Sequence, residues 1–258
     1  MDMQIDGLRV LVTAGAAGIG LETARAFVRE NAKVHVCDVD RPALEALAKS
    51  DPKLTWSVCD VADRAQVAAM FDDALKQLGG LDCLVNNAGI AGPTGRVEEI
   101  NPEDWDRCLA VDITGQFNCV RLAVPHLKES KNASIMNLSS QAGKHGFPLR
   151  SAYAAAKWGV VGFTKTIAME LGPFGIRANA LLPGLVAGDR IRRVIEAKAQ
   201  QRGVSFKEQE QHMMQYASLK EYVTPQQLAD MIVFTASPCG RTISGQAISV
   251  CSDTNMLG

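Results

Sequence analysis

The chain has 258 residues, 47% of them hydrophobic and 21% charged, with a net charge of −1. Those values suit one large or two small globular domains with a sizeable core, and a charge so near zero excludes a global field drawing the molecule to nucleic acid or an anionic membrane. No apolar run reaches the roughly 18 residues that a membrane span takes, and the N-terminal MDMQIDGLRVLV lacks a basic flank ahead of a signal-type apolar stretch, so the expected location is the cytoplasm.

Short apolar runs alternate with amphipathic stretches along the whole chain. The first run, Leu8–Thr13, passes through TAGAAGIG (Thr13 to Gly20) into a helical period over Ile19–Glu30. Lys33–Asp38 and Leu54–Val58 follow as strands, then Arg64–Leu78 as a helix and Cys83–Asn86 as a strand. Pro102–Leu127 reads as one long helix, started by Asn101 as cap with proline in the first turn. Ser134–Leu138 is the next strand, Ala152–Leu171 the next helix, and Arg177–Leu182 the sixth strand. Thr224 caps a helix over Pro225–Ala236, and Ala247–Val250 closes the series. Continuous Val/Leu/Ile/Ala runs are the mark of strands covered on both faces. Their alternation with helices predicts an α/β fold, a doubly wound parallel sheet of seven strands in a single domain.

The stretch 188–220 breaks the rhythm. It is rich in charge and Gln, and it reads as two helices inserted over the carboxyl edge of the sheet, where open α/β sheets bind ligands. That position suits a substrate lid. The seven cysteines form no CxxC pair and no His/Cys cluster of zinc spacing, so they are expected to be reduced, mostly buried and without a metal.

The turn after the first strand has the features of a dinucleotide seat. Gly15, Gly18 and Gly20 let backbone approach a pyrophosphate, and the helix opening at Ile19 supplies free N–H groups and a positive dipole end. Asp38 ends the second strand eighteen residues after Gly20, where a carboxylate holds ribose hydroxyls and repels a 2′-phosphate. Asp40 adds negative charge and Ala17 adds no basic group, so NAD is favoured over NADP; Arg41 is the one residue that argues the other way. Asp60 and Val61 follow the third strand, where an acidic side chain suits the adenine amino group, and NNAG (Asn86 to Gly89) follows the fourth.

Farther on, Tyr153 and Lys157 lie four residues apart in YAAAK, thirteen residues after Ser140. On a helix they share one face. An ammonium there favours the ionised phenol, lowering it from its free value of about 10 so that it exchanges protons nearer neutrality. Ser140 can donate a hydrogen bond to the same substrate oxygen.

In TAGAAGIG, Asp38, Asp60-Val61, NNAG, the NLSS segment ending at Ser140, YAAAK and Pro183-Gly184, the chain resembles the short-chain dehydrogenase/reductase family over essentially its full length. The resemblance implies a Rossmann-type sheet, a dimer or tetramer, a nicotinamide cofactor and chemistry between a secondary alcohol and a ketone. It makes Tyr153 the acid/base, Lys157 the holder of the nicotinamide ribose, and Ser140 rather than Ser139 the holder of the substrate oxygen, since Ser140 opens SxxG with Gly143. It sets Asn87 beside the adenosine ribose and the Val186 backbone beside the nicotinamide carboxamide, with Gly89, Pro183 and Gly184 as further cofactor contacts. Three positions depart from the pattern: Ala14 for the first glycine, Asp112 for an asparagine of the proton relay that holds a bend in its helix, and Gly188 for a threonine.

The expected substrate is a small polar alcohol or ketone. Arg150, three residues before Tyr153, with Arg190, Arg192, Arg193 and Lys198 on the insert, points to a sugar, sugar acid or hydroxy acid. Two rivals stay open: an NADPH-dependent 3-oxoacyl thioester reductase, and a nucleotide-binding regulatory protein that kept the fold without the chemistry.

Overall fold

The computed structural model describes residues 2–257. Seven parallel strands form one sheet in the order β3-β2-β1-β4-β5-β6-β7: β1 Arg9–Thr13, β2 Lys33–Asp38, β3 Leu54–Val58, β4 Cys83–Asn86, β5 Ser134–Leu138, β6 Arg177–Pro183 and β7 Ala247–Val250. Each register agrees with the apolar runs; β1, for instance, pairs Val12 with Val36 of β2 and with Val85 of β4. The order reverses between β1 and β4, which opens the crevice where doubly wound sheets seat nucleotides.

Both sheet faces are covered. On one side α1 (Gly18–Arg29) and α9 (Pro225–Ala236) bury Ala24, Phe27, Leu228 and Ile232 against the strands. On the other, α3 (Arg64–Leu78), α5 (Gly115–Leu127) and α6 (Ser151–Leu171) bury Phe71, Cys119, Val120 and Ile167. Caps start the helices as the sequence suggests: Asn101 accepts from the Glu103 N–H, and Thr224 and Gln227 form a capping box.

Two elements differ from the sequence reading. A helix, α2 (Arg41–Ser50), fills the β2–β3 connection; Asp40 caps it through the Ala43 N–H at 3.0 Å, and Leu44 and Leu47 bury one face. The long helix expected over 102–127 is interrupted. It runs as α4 (Pro102–Leu109), a π-helical segment Ala110–Thr114, and α5. The extra residue of a π turn rotates the side chains that follow it, and here the segment presents Asp112 inward, fully buried.

The 188–220 stretch carries two helices, α7 (Asp189–Arg202) and α8 (Phe206–Met214), with a small core of their own: Leu185, Ile195 and Met213. Parallel bridging of Val186 with Val223 closes the base of this insert. All seven cysteines are free; five are buried, Cys251 is half-buried and Cys239 is exposed. Among the described residues no helix is long and apolar enough to cross a membrane.

Candidate active site

A cavity of about 770 Å³ lies at the carboxyl ends of the strands, between the β1–α1 turn and the 188–220 insert. The turn at its floor is tightly built. A Cβ on Gly20 would stand 2.1 Å from the Ala14 carbonyl oxygen and 2.6 Å from Asn87 Nδ2, so only glycine fits. Asn87 Nδ2 donates to the carbonyls of Thr13 and Ala14, both at 3.0 Å, and Thr13 Oγ1 accepts from the N–H groups of Asn87 and Ala88. These bonds staple the β1 turn to the end of β4. Ala14 sits at φ 50°, the left-handed region, where a side chain costs about 1–2 kcal/mol. The departure from glycine is therefore accommodated at a cost in backbone strain rather than by a changed turn.

Ala17, Gly18 and Ile19 face the cavity at the start of α1, and no side chain caps the Ala17 end, so the first N–H groups of that helix stay available. Asp38 lines the same space, with Oδ2 accepting from the Ala16 N–H at 3.2 Å. Arg41 does not line it; its nearest carboxylate is Glu45, at 4.0 Å on the exposed face of α2. A glycine cradle, an uncapped helix start and a strand-end carboxylate fit a dinucleotide.

Not every residue expected at that seat faces it. Gly18, Ile19, Asp38, Asn87, Gly89, Pro183, Gly184 and Val186 line the cavity. Thr13, Gly15 and Gly20 shape the turn from behind. Asp60 and Val61 stand outside the lining, and the Asp60 carboxylate is paired with Arg107 at 2.8 Å.

The second half of the site rests on α6 and the end of β5. Tyr153 and Lys157 occupy successive turns of α6, with Lys157 Nζ 5.5 Å from the centre of the Tyr153 ring. Lys157 is buried, donates to the Leu138 carbonyl at 3.1 Å and pairs with Asp112 Oδ2 at 3.3 Å. The other oxygen of Asp112 accepts from the Ile90 N–H at 2.7 Å. Asp112 thus joins the π-helical segment, the loop after β4 and the lysine of α6 without itself reaching the cavity wall.

Both serines border the cavity, but Ser140 is half-buried, whereas the Ser139 hydroxyl is buried and donates to the Lys157 carbonyl at 2.8 Å. That separates the two serines of NLSS: one is committed to holding α6, the other is presented. Gly143 is required at its place because a Cβ there would come within 2.4 Å of Ser139 Oγ and 2.6 Å of the Lys157 carbonyl oxygen.

Arg150 is buried on the same wall, with Phe147 and Tyr153 beside its guanidinium. Of the insert residues, Arg190 and Arg193 line the cavity and Arg192 does not. Phe147 was not legible as a site residue; its one signal is an aromatic in the polar GKHGFPLR loop between Ser140 and Tyr153.

A family model described as enoyl-(acyl carrier protein) reductase matches residues 14–252. The chain is 34% identical to D-beta-hydroxybutyrate dehydrogenase of Cupriavidus necator, over 93% of this chain and 95% of the relative. It is likewise 34% identical to 3-oxoacyl-(acyl-carrier-protein) reductase FabG of Thermotoga maritima, over 96% and 98%. The solved structure of NAD+-bound xylitol dehydrogenase superposes with a TM-score of 0.92 at 27% identity, covering 96% of this chain and 99% of that one. The chain belongs to the short-chain dehydrogenase/reductase family, whose members are oxidoreductases acting on CH–OH groups with nicotinamide cofactors.

Proposed function

We propose that the protein is an NAD(H)-dependent oxidoreductase that interconverts a small polar secondary alcohol and its ketone. The observation that carries this reading is that Tyr153, Lys157 and Ser140 line the same cavity as Asp38 and the start of α1. When bound, the nicotinamide supplies the hydride acceptor or donor. The uncapped start of α1 would receive the pyrophosphate, and Asp38 would hold the adenosine ribose, where a 2′-phosphate would meet like charge. Pro183, Gly184 and Val186 line the same cavity and would border the nicotinamide.

In oxidation Tyr153 takes the hydroxyl proton while Ser140 donates a hydrogen bond to the same oxygen. Lys157 holds the ribose beside Tyr153, and Asp112 and the Leu138 carbonyl fix the ammonium in place. The proton leaves along Tyr153 and Lys157; reduction reverses the path. The insert at 188–220 serves as the lid over the substrate. The 3-oxoacyl thioester reductase remains the second reading, because one close relative bears that name; it calls for NADPH, against which Asp38 argues.

The test is Tyr153→Phe in purified protein, with oxidation of a panel of sugars, sugar acids, hydroxy acids and cyclic alcohols followed at the NADH absorbance. Loss of nearly all turnover with NADH binding retained is expected. Turnover equal to wild type would defeat the assignment, and a faster reaction with NADP than with NAD would defeat the cofactor preference.

A further inference from the structure

Arg150 is the most unusual charged residue of the molecule. It is 2% exposed and lines the cavity. Its Nη2 donates to the Ala91 carbonyl, while Nε and Nη1 have no hydrogen-bond partner. No carboxylate lies within ion-pairing distance of it among the described residues. Asp112, the carboxylate whose charge acts on it after Tyr153 and Cys108, is taken up by Lys157 and the Ile90 N–H.

Its neighbours are instead two aromatic rings and other cations. The guanidinium carbon stands 5.3 Å from the centre of Phe147 and 5.1 Å from that of Tyr153. Arg190, on the first turn of α7, has its guanidinium carbon 5.9 Å from the centre of the same Tyr153 ring, and it donates to the Gly89 carbonyl. The buried Lys198 of α7 lies 4.2 Å from the Phe147 ring. Burial holds the Arg150 guanidinium below its ordinary range, and the Arg190 charge works in the same direction. A buried arginine with two idle donors and no counter-charge is a costly arrangement, and a ligand anion relieves it. The carboxylates that do border the cavity are Glu22, Asp38 and Asp189; Glu22 bonds Arg25 and Asp38 bonds the Ala16 N–H, both on the cofactor side.

Building on the redox reading above, we propose that the substrate is a short hydroxy acid whose carboxylate binds Arg150, with Arg190 closing on it from the lid, while the carbinol oxygen faces Tyr153 and Ser140. Both guanidinium carbons stand close to the Tyr153 ring centre, at 5.1 and 5.9 Å, so the carboxylate lies only a few bonds from the reacting carbon. A planar carboxylate accepts from guanidinium N–H groups in a shielded setting where charge-assisted bonds are strongest. It takes over from the ring faces as the neighbour of Arg150, and the neutral sugars and cyclic alcohols of the panel have nothing to offer that group.

The test compares ligands of one shape that differ in charge. Butyrate and butyramide are titrated into the NADH-loaded protein and read by thermal midpoint. C3–C5 hydroxy acids and their primary amides are then compared in turnover with NAD and with NADP. Butyrate is expected to raise the midpoint at concentrations where butyramide does not, and the acids to exceed the amides by about tenfold to a hundredfold in kcat/KM, as for loss of a charge-assisted hydrogen bond. Arg150→Met should collapse both differences, mainly through KM. Equal response to acid and amide in the unmodified protein overturns the proposal, even if the variant does not fold. So does a folded Arg150→Met that binds butyrate as well as wild type. If butyrate is distinguished from its amide but no alcohol is oxidised with either cofactor, the anion site stands and the redox reading falls.

Discussion

Replacing Gly20 with alanine tests the construction of the nucleotide turn. The added Cβ would lie 2.1 Å from the Ala14 carbonyl oxygen, so reaching even 3.0 Å requires a displacement of about 0.9 Å (3.0 less 2.1) in the backbone of that turn. Asn87 Nδ2, at 2.6 Å from the same point, has to retreat as well, and it holds the Thr13 and Ala14 carbonyls. Two hydrogen bonds at about 1 kcal/mol each, with the overpacking itself at about 1–3 kcal/mol, give a loss of roughly 3–5 kcal/mol. For a chain of this size that lowers the thermal midpoint by about 6–20 °C. Displacement of the N–H groups that face the pyrophosphate should also weaken NADH by at least about tenfold. Fluorescence titration with NADH and a thermal melt read the two effects. Gly162→Ala is the control: it lies exposed within α6 with no atom within 4 Å of the added methyl, so its midpoint should hold or rise, by about 0.5–1 kcal/mol of stability. If Gly20→Ala melts and binds NADH like wild type, the turn is not the close-packed seat described above.

Asp112→Ala removes the counter-charge of the buried Lys157 and the acceptor of the Ile90 N–H. A loss of about 3–5 kcal/mol is expected from the stranded ammonium, and Asp112→Asn, which keeps an acceptor oxygen, should lose less; equal melting of the two variants would argue against it. His35 provides a pH signature independent of the active site. Its ring is buried in hydrogen bonds with Thr55 and Ser57, and burial pushes it down to about 4, with Asp73 opposing. The unfolded chain takes up that proton near 6.5 and the folded one only near 4. The stability His35 contributes is therefore complete above pH 6.5 and lost as pH falls to 4, about 3 kcal/mol in all. Urea melts between pH 7 and 4 should show that decline, and it should shrink in His35→Gln.

Much of this was open to a reader of the sequence because of how the sheet is packed. Strands buried on both faces leave continuous apolar runs, and Lys33–Asp38, Leu54–Val58 and Ser134–Leu138 begin and end where those runs do. Ser140, Tyr153 and Lys157 were legible because hydrogen-bonding chemistry at a strand end and on successive helix turns demands fixed spacing. What could not be read came from three sources. Helix α2 is short, and its Leu44 and Leu47 give only one apolar pair between polar turns. The π-helical turn at Ala110–Thr114 alters backbone hydrogen bonding without altering hydrophobic period, so the helix looked continuous. Asp60 was read as an adenine contact from its place after a strand, and its carboxylate is engaged with Arg107; Asn87 lines the cavity, but its amide also donates to the neighbouring turn, a partner that its place in the sequence does not reveal. Sequence shows that a polar group stands at the edge but not which partner claims it.

The groups assigned to proton transfer ride on one continuous helix and its adjoining strand, whereas the arginines of the insert belong to a segment with a separate small core joined at a narrow base. Of the two guanidiniums proposed to read the substrate, Arg190 therefore sits on a segment apart from the reacting groups, whereas Arg150 stands at the start of the helix that carries Tyr153. Remodelling the insert would change one of those two contacts and leave Ser140, Tyr153 and Lys157 on elements that it does not build.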